Sequence, residues 1–243
     1  MEESGLRARH ADGPEESSFY SAYARGRGDM RSLSQALFAA VGRLPVRSER
    51  ADSAPFALVA ATEASKLYLF VAIDRTSKLA YVELVEKQGK IQAAQFLRNL
   101  IEKVPYKIHT ILTDNGVQFT NQARNHRALP HIFDRVCKEN GIEHRLTLPA
   151  HPWTNGQVER MNKTIKEATV HRYYYESKTS LQEHLQAFIN AYNFAKRLKS
   201  LNGLTPWEFI IKEWKSEPKL FRISPDPYNV GLNTFLLWTE VRS

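Results

Sequence analysis

A chain of 243 residues, 42% of them hydrophobic and 11% aromatic, carries enough apolar side chain to fill a core. No stretch of it nears the roughly 18 uninterrupted apolar residues of a membrane span. The single cysteine, Cys137, excludes an internal disulfide and any cysteine-pair zinc site, and the net charge of +8 points to a polyanionic partner.

The amino terminus, MEESGLRARH, lacks the apolar centre of a signal peptide, so a cytoplasmic location is expected. Residues 1–54 hold eight Arg, eight Asp or Glu and no Lys, whereas the remainder holds 15 Lys and the whole of the net charge. This opening segment reads as an irregular extension in which only SLSQALFAAVGRL has the pattern for three helical turns. From residue 66 the pattern is firmer. KLYLFVAI predicts a buried strand, RTSK a tight turn and LAYVELVE an antiparallel partner strand. GKIQAAQFLRNLIEKV predicts a helix with Ile91, Ala94, Phe96 or Leu97, and Ile101 on its apolar side, ending at Val104-Pro105. KIHTILT is a further strand that stops at Asp114-Asn115-Gly116. The loop NQARNHRALP leads to a short helix, HIFDRVCKENG, closed by Gly141, and then to the strand IEHRLT. Cys137 in that short helix reads as a small apolar packing residue. After LPAHPWTNG, two long helices are expected at about 156–177 and 180–199, followed by a helix capped by Thr205 with Pro206 in its first turn. The tail from Ser216 is Pro-rich. The order predicts an α/β domain: a mixed sheet flanked by helices, with a helical C-terminal extension.

Two stretches carry candidate chemistry. In TDNGVQF, Asp114 ends a buried strand and is followed by a turn pair, which suits a metal ligand and equally suits an ordinary Asp-Asn-Gly turn. In HPWTNGQVERMNKTIKEA, Val158, Met161, Ile165 and Ala168 form an apolar stripe, while Glu159, Asn162, Lys163 and Lys166 share the opposing face. Glu159 is well placed as an acid near a helix start, with Lys163 at i+4, and the lysines also fit a plain solvated face.

Together the two stretches resemble the catalytic core of retroviral-type integrases and of the related bacterial insertion-sequence transposases. The resemblance covers about residues 60–212 and includes FVAIDRTSKLAYVEL and YNFAKRLKSLNGLTPWEF. It implies an RNase H-like fold with a five-stranded mixed sheet in a core at 55–212, leaving an extension at 1–54 and a tail at 213–243. It also implies DNA strand cleavage and strand transfer by a DDE acidic triad, with Asp114 and Glu159 as the second and third acids and metal ligands. Two Mg²⁺ or Mn²⁺ ions would serve an intact site, because hard cations select carboxylate oxygen. The implied partners are double-stranded DNA, as mobile-element ends and target, and further copies of the chain in a homo-oligomer; no membrane is implied. Phosphate contacts are expected from Arg160, Asn162, Lys163, Lys166 and Arg145. Trp153 and Tyr173-Tyr174-Tyr175 fit either base stacking or packing between helices.

The first acid of the triad falls, by the family's spacing, at Phe56 to Ala60, where FALVA contains no carboxylate. Asp74 matches a frequent family aspartate outside the triad, and remains a candidate first acid from the adjoining strand. Asp52 is a second candidate through a shifted register. The third reading is that the first acid is lost and activity impaired. The composition break near residue 54 then reflects replaced or out-of-frame coding sequence. The rival to an active transposase is an inactive DNA-binding or assembly fragment of one.

Overall fold

The computed structural model describes residues 36–44, 67–121, 130–147, 156–173, 175 and 177–225. Its strands are β1 (Ala36–Leu44), β2 (Leu67–Asp74), β3 (Ala80–Val85), β4 (Thr110–Thr113) and β5 (Glu143–Leu146). Its helices are α1 (Lys90–Lys103), α2 (Ile132–Glu139), α3 (Gly156–Ala168), α4 (Lys178–Phe194) and α5 (Pro206–Ser216). The strands hydrogen-bond in the order β3-β2-β1-β4-β5. β1 runs antiparallel to β2, whereas β1–β4 and β4–β5 are parallel pairs.

β2 sits inside the sheet, and LYLFVAID shows why. Leu67, Leu69, Val71 and Ile73 pack on one side with Val158, Met161 and Ile165 of α3 and Leu181, Leu185 and Ile189 of α4. Phe70 and Ala72 pack on the other with Phe96 and Leu97 of α1 and Phe133 and Val136 of α2. A strand covered on both faces needs apolar residues at every position, which is the run the sequence provides. The three buried side chains of α3 together contribute several kcal/mol, at roughly 1.5–3 kcal/mol each.

The centre of the sheet differs from the sequence reading. The segment read as three helical turns supplies β1 instead, with ALFAAVGRL lying between β2 and β4. β2 and β4 are separated by one strand's width, and only an extended segment can complete the hydrogen bonds of both. That tertiary demand overrides the weak helical spacing of residues 32–44, and Ala39 is fully buried there. The strand expected at Phe56 to Ala60 lies outside the described residues, as does Asp52.

Smaller differences have local causes. Ile91 is 68% exposed, because α1 buries Ala93, Ala94, Phe96, Leu97 and Leu100 instead. α3 ends at Ala168 rather than near 177: Thr169 turns its hydroxyl onto the Ile165 carbonyl at 2.7 Å, and β-branched Val170 turns into the core. Two distal motifs gain physical roles. Asn193 accepts from the Ala80 amide at 2.9 Å and donates to the Ala80 carbonyl at 2.8 Å, fastening α4 to β3. Thr205 and Glu208 form a reciprocal capping box, with Pro206 in the first turn of α5. Among the described residues, no helix is long and apolar enough to cross a membrane.

Candidate active site

Asp114 follows the last residue of β4. Ile111 packs towards α1 and α2 and Leu112 towards α3, so strand alternation assigns Asp114 to the α3 side of the sheet. Its Oδ1 accepts from the Gly116 amide at 2.9 Å, and Asn115 Nδ2 donates to the Thr147 carbonyl at 3.0 Å, so the turn is tied to the end of β5. Burial raises the pKa of the Asp114 carboxyl, and the Gly116 amide partly offsets that rise.

Beside this turn a polar relay runs from the buried Thr113 to the partly exposed Asp134. Thr113 Oγ1 meets His144 Nε2 at 2.8 Å, and His144 Nδ1 meets Asp134 Oδ1 at 2.5 Å. Thr113 also donates to the Asp114 carbonyl at 3.1 Å. β4, β5 and α2 are thereby locked together one residue before the candidate ligand. This relay was not legible in the sequence, since three residues from three elements share no spacing.

Glu159 stands in the first turn of α3 and is exposed. Val158 beside it is fully buried in the same cluster as Leu112 of β4, which places α3 on the Asp114 side of the sheet. Glu159, Asn162 and Lys166 follow one another at i, i+3 and i+7 along one flank of the helix.

Asp74 occupies the opposite side. It is 1% exposed and accepts from the Thr76 amide at 3.1 Å, the Ser77 amide at 3.2 Å, the Ser77 hydroxyl at 2.5 Å and the Tyr106 hydroxyl at 3.1 Å. Tyr106 belongs to the cluster formed with α1 and α2, so the Asp74 carboxylate lies across the sheet from α3. Burial and the Asp74 charge together hold the Tyr106 hydroxyl well above its ordinary pKa.

Two family models, each described as an integrase core domain, match residues 48–152 and 140–206. The chain carries an integrase core domain. An integrase of Spiroplasma virus SpV1-C74 is 28% identical over 152 residues, which span 60% of this chain and 42% of that protein. The match to protein K02A2.6 of Caenorhabditis elegans, 30% identical over 141 residues, spans only 10% of that protein's length. Among solved structures, the BIV integrase catalytic core superposes with a TM-score of 0.53 at 20% identity, covering 76% of this chain and 99% of that one. The HTLV-2 integrase catalytic core, solved in complex with magnesium in a dimeric form, gives a TM-score of 0.52 at 19% identity and covers 72% and 95%. These likenesses establish the fold of the integrase core.

Within the integrase core, β1 holds the place next to Asp114. The parallel register pairs Ala39 with Thr113, so Ala40 comes level with Asp114, and Ala40 pairs on its other edge with Val71 of the α3-side cluster. No residue of ALFAAVGRL is a carboxylate. Among the described residues, no three His, Cys, Asp or Glu side chains gather where they could hold a metal ion. Asp114 and Glu159 alone do not fit a two-ion centre.

The basic residues expected at DNA lie on or beside α3. Arg160 and Lys163 are exposed, with Lys163 Nζ 3.8 Å from Glu167, and Lys166 is half-buried. Arg145 pairs in register with Leu112, on the Asp114 side, and its guanidinium is 2.7 Å from Glu143. Asn162 Oδ1 is buried without a hydrogen-bond partner among the described residues. Tyr173 packs its ring edge on His184 at 5.0 Å and Tyr175 donates or accepts at His184 Nδ1 over 2.6 Å, which is the packing alternative for these two tyrosines. Trp153 lies outside the described residues.

Proposed function

We propose that this chain is a transposase-type integrase core that binds mobile-element ends and target DNA as a homo-oligomer, and that its strand cleavage and transfer are impaired by loss of the first acid. The observation that carries the reading is β1 itself. It occupies the place beside Asp114 and is free of carboxylates from Ala36 to Leu44. In this reading Asp114 and Glu159 are the surviving second and third acids, and they would hold at most one Mg²⁺ or Mn²⁺ between them. Asp74 serves the fold, as the acceptor that closes the β2–β3 turn. Residues 55–212 form the core, with β1 supplied by the preceding 1–54 segment and 213–243 as a tail.

DNA affinity survives the loss because phosphate contacts depend on cations, and Arg145, Arg160, Lys163 and Lys166 surround the Asp114 side. Cleavage does not survive, because two carboxylates cannot neutralise both ions needed at the attacking and leaving oxygens. The test incubates purified full chain with labelled duplexes bearing the repeats that flank its gene, in Mn²⁺. The expected result is a shifted complex without nicked or joined products. Products that appear with this chain and vanish with Asp114→Asn would overturn the loss of activity and point to an acid outside β1, such as Asp52.

A further inference from the structure

A groove of about 340 Å³ opens along the flank of α3 turned away from Glu159. Gln157, Arg160 and Thr164, at i, i+3 and i+7, form one wall, while Glu159, Asn162 and Lys166 take the other flank with the same spacing. The facing wall is built by Tyr192 and Lys196 at the end of α4, and the floor is reached by Lys78 from the β2–β3 turn. Three cations from three separate elements thus converge on one groove, and among the described residues lining it there is no carboxylate.

Two of these cations have contacts beside the groove. Lys196 Nζ lies 5.6 Å from the centre of the Tyr192 ring, and Lys78 Nζ reaches the Arg75 carbonyl and, at 3.4 Å, Gln157 Oε1. Lys78 also adopts a φ of 62°, a left-handed conformation that would ordinarily favour Gly at this turn. A long cationic side chain thus stands at a position where the backbone favours glycine. Burial lowers the Lys78 pKa, and the Asp74 charge partly restores it.

We propose that this groove is a phosphodiester-binding subsite for duplex DNA, separate from the Glu159 flank. The proposal rests on the reading of the chain as a DNA-binding core and adds Lys78 and Lys196 to it. Charge complementarity selects the occupant, since the described residues lining the groove offer three cations, hydroxyls from Tyr192 and Ser200, and no carboxylate.

The experiment measures fluorescence anisotropy of a labelled duplex oligonucleotide with the full chain over a range of salt concentrations. Lys196→Ala should lower affinity several-fold and make the plot of log K against log salt shallower by about 0.9, the value for one lost phosphate contact. Lys78→Gly should do the same without lowering the thermal midpoint, because Gly accepts the backbone conformation better. Lys215→Ala, exposed on α5 away from the groove, is the charge control and should leave the slope unchanged. Unchanged slopes for both groove variants, with DNA binding intact, would overturn the subsite and leave the functional reading standing. An equal loss from Lys215→Ala reduces the effect to net charge and also overturns it. Absence of DNA binding by the unsubstituted chain would sink the functional reading and the subsite together.

Discussion

Asp74 and Asp114 end neighbouring parts of the same sheet and differ in what surrounds the carboxylate. Four donors converge on Asp74 inside the α1 and α2 side, while the Asp114 carboxylate has a single amide partner among the described residues and keeps a raised pKa through burial. A carboxylate saturated by protein donors has little capacity left for a cation, whereas one that is desolvated and sparsely bonded gains from binding one. The consequence for Asp74 is structural. Asp74→Ala would strand the Ser77 hydroxyl and the Tyr106 hydroxyl in a buried site, and a loss of about 3 kcal/mol is expected in urea denaturation. The aspartate itself was readable in the motif VAID, but its side of the sheet was not, because Asp74 could be placed only after Tyr106 was seen to reach it.

At the scale of elements, α2 shows how a cap brings pH dependence into the fold. His131 is 2% exposed; its Nδ1 accepts from the Phe133 amide at 3.1 Å and its Nε2 faces the Val117 carbonyl at 3.3 Å. This bonding needs the neutral ring, with the proton on Nε2. Burial accordingly lowers the His131 pKa, and the Val117 carbonyl opposes that shift. The unfolded chain therefore takes up a proton near pH 6.5 that the folded chain refuses until lower pH. Stability from this group is complete above about 6.5 and falls as pH drops towards the depressed folded value. Thermal midpoints measured between about pH 5 and 8 should show that decline, and His131→Asn, which retains a capping acceptor, should flatten it. A steeper decline in the Asn variant would refute the assignment.

Element boundaries elsewhere were legible wherever local chemistry decides them. Val104-Pro105 ends α1, Gly141 at a φ of 65° closes the turn after α2, and Thr205 with Glu208 opens α5, each as the residues alone indicate. β1 was illegible for the opposite reason. ALFAAVGRL has alanines and leucines that suit a helix, and only the two strand edges of β2 and β4 on either side make it extended.

For the whole molecule, the proposed loss of activity reduces to one register position. Restoring a carboxylate there tests it directly. Ala40→Asp places an acid level with Asp114, and Mn²⁺ should then raise the thermal midpoint of the variant but not of the unsubstituted chain. The same rise should disappear in the double variant carrying Asp114→Asn. If Ala40→Asp folds and shows no response to Mn²⁺, the position beside Asp114 is not the one that lost its acid.

Sequence alone determined the two-sided burial of β2, the stripe of α3, the caps and the motif pair Asp114 and Glu159, because these follow from periodicity and residue chemistry along the chain. Tertiary structure decided which segment completes the sheet, on which side Asp74 lies, and that Lys78, Arg160 and Lys196 meet in one groove. Those outcomes depend on pairing between residues far apart in the chain, and such pairing leaves no trace in local spacing.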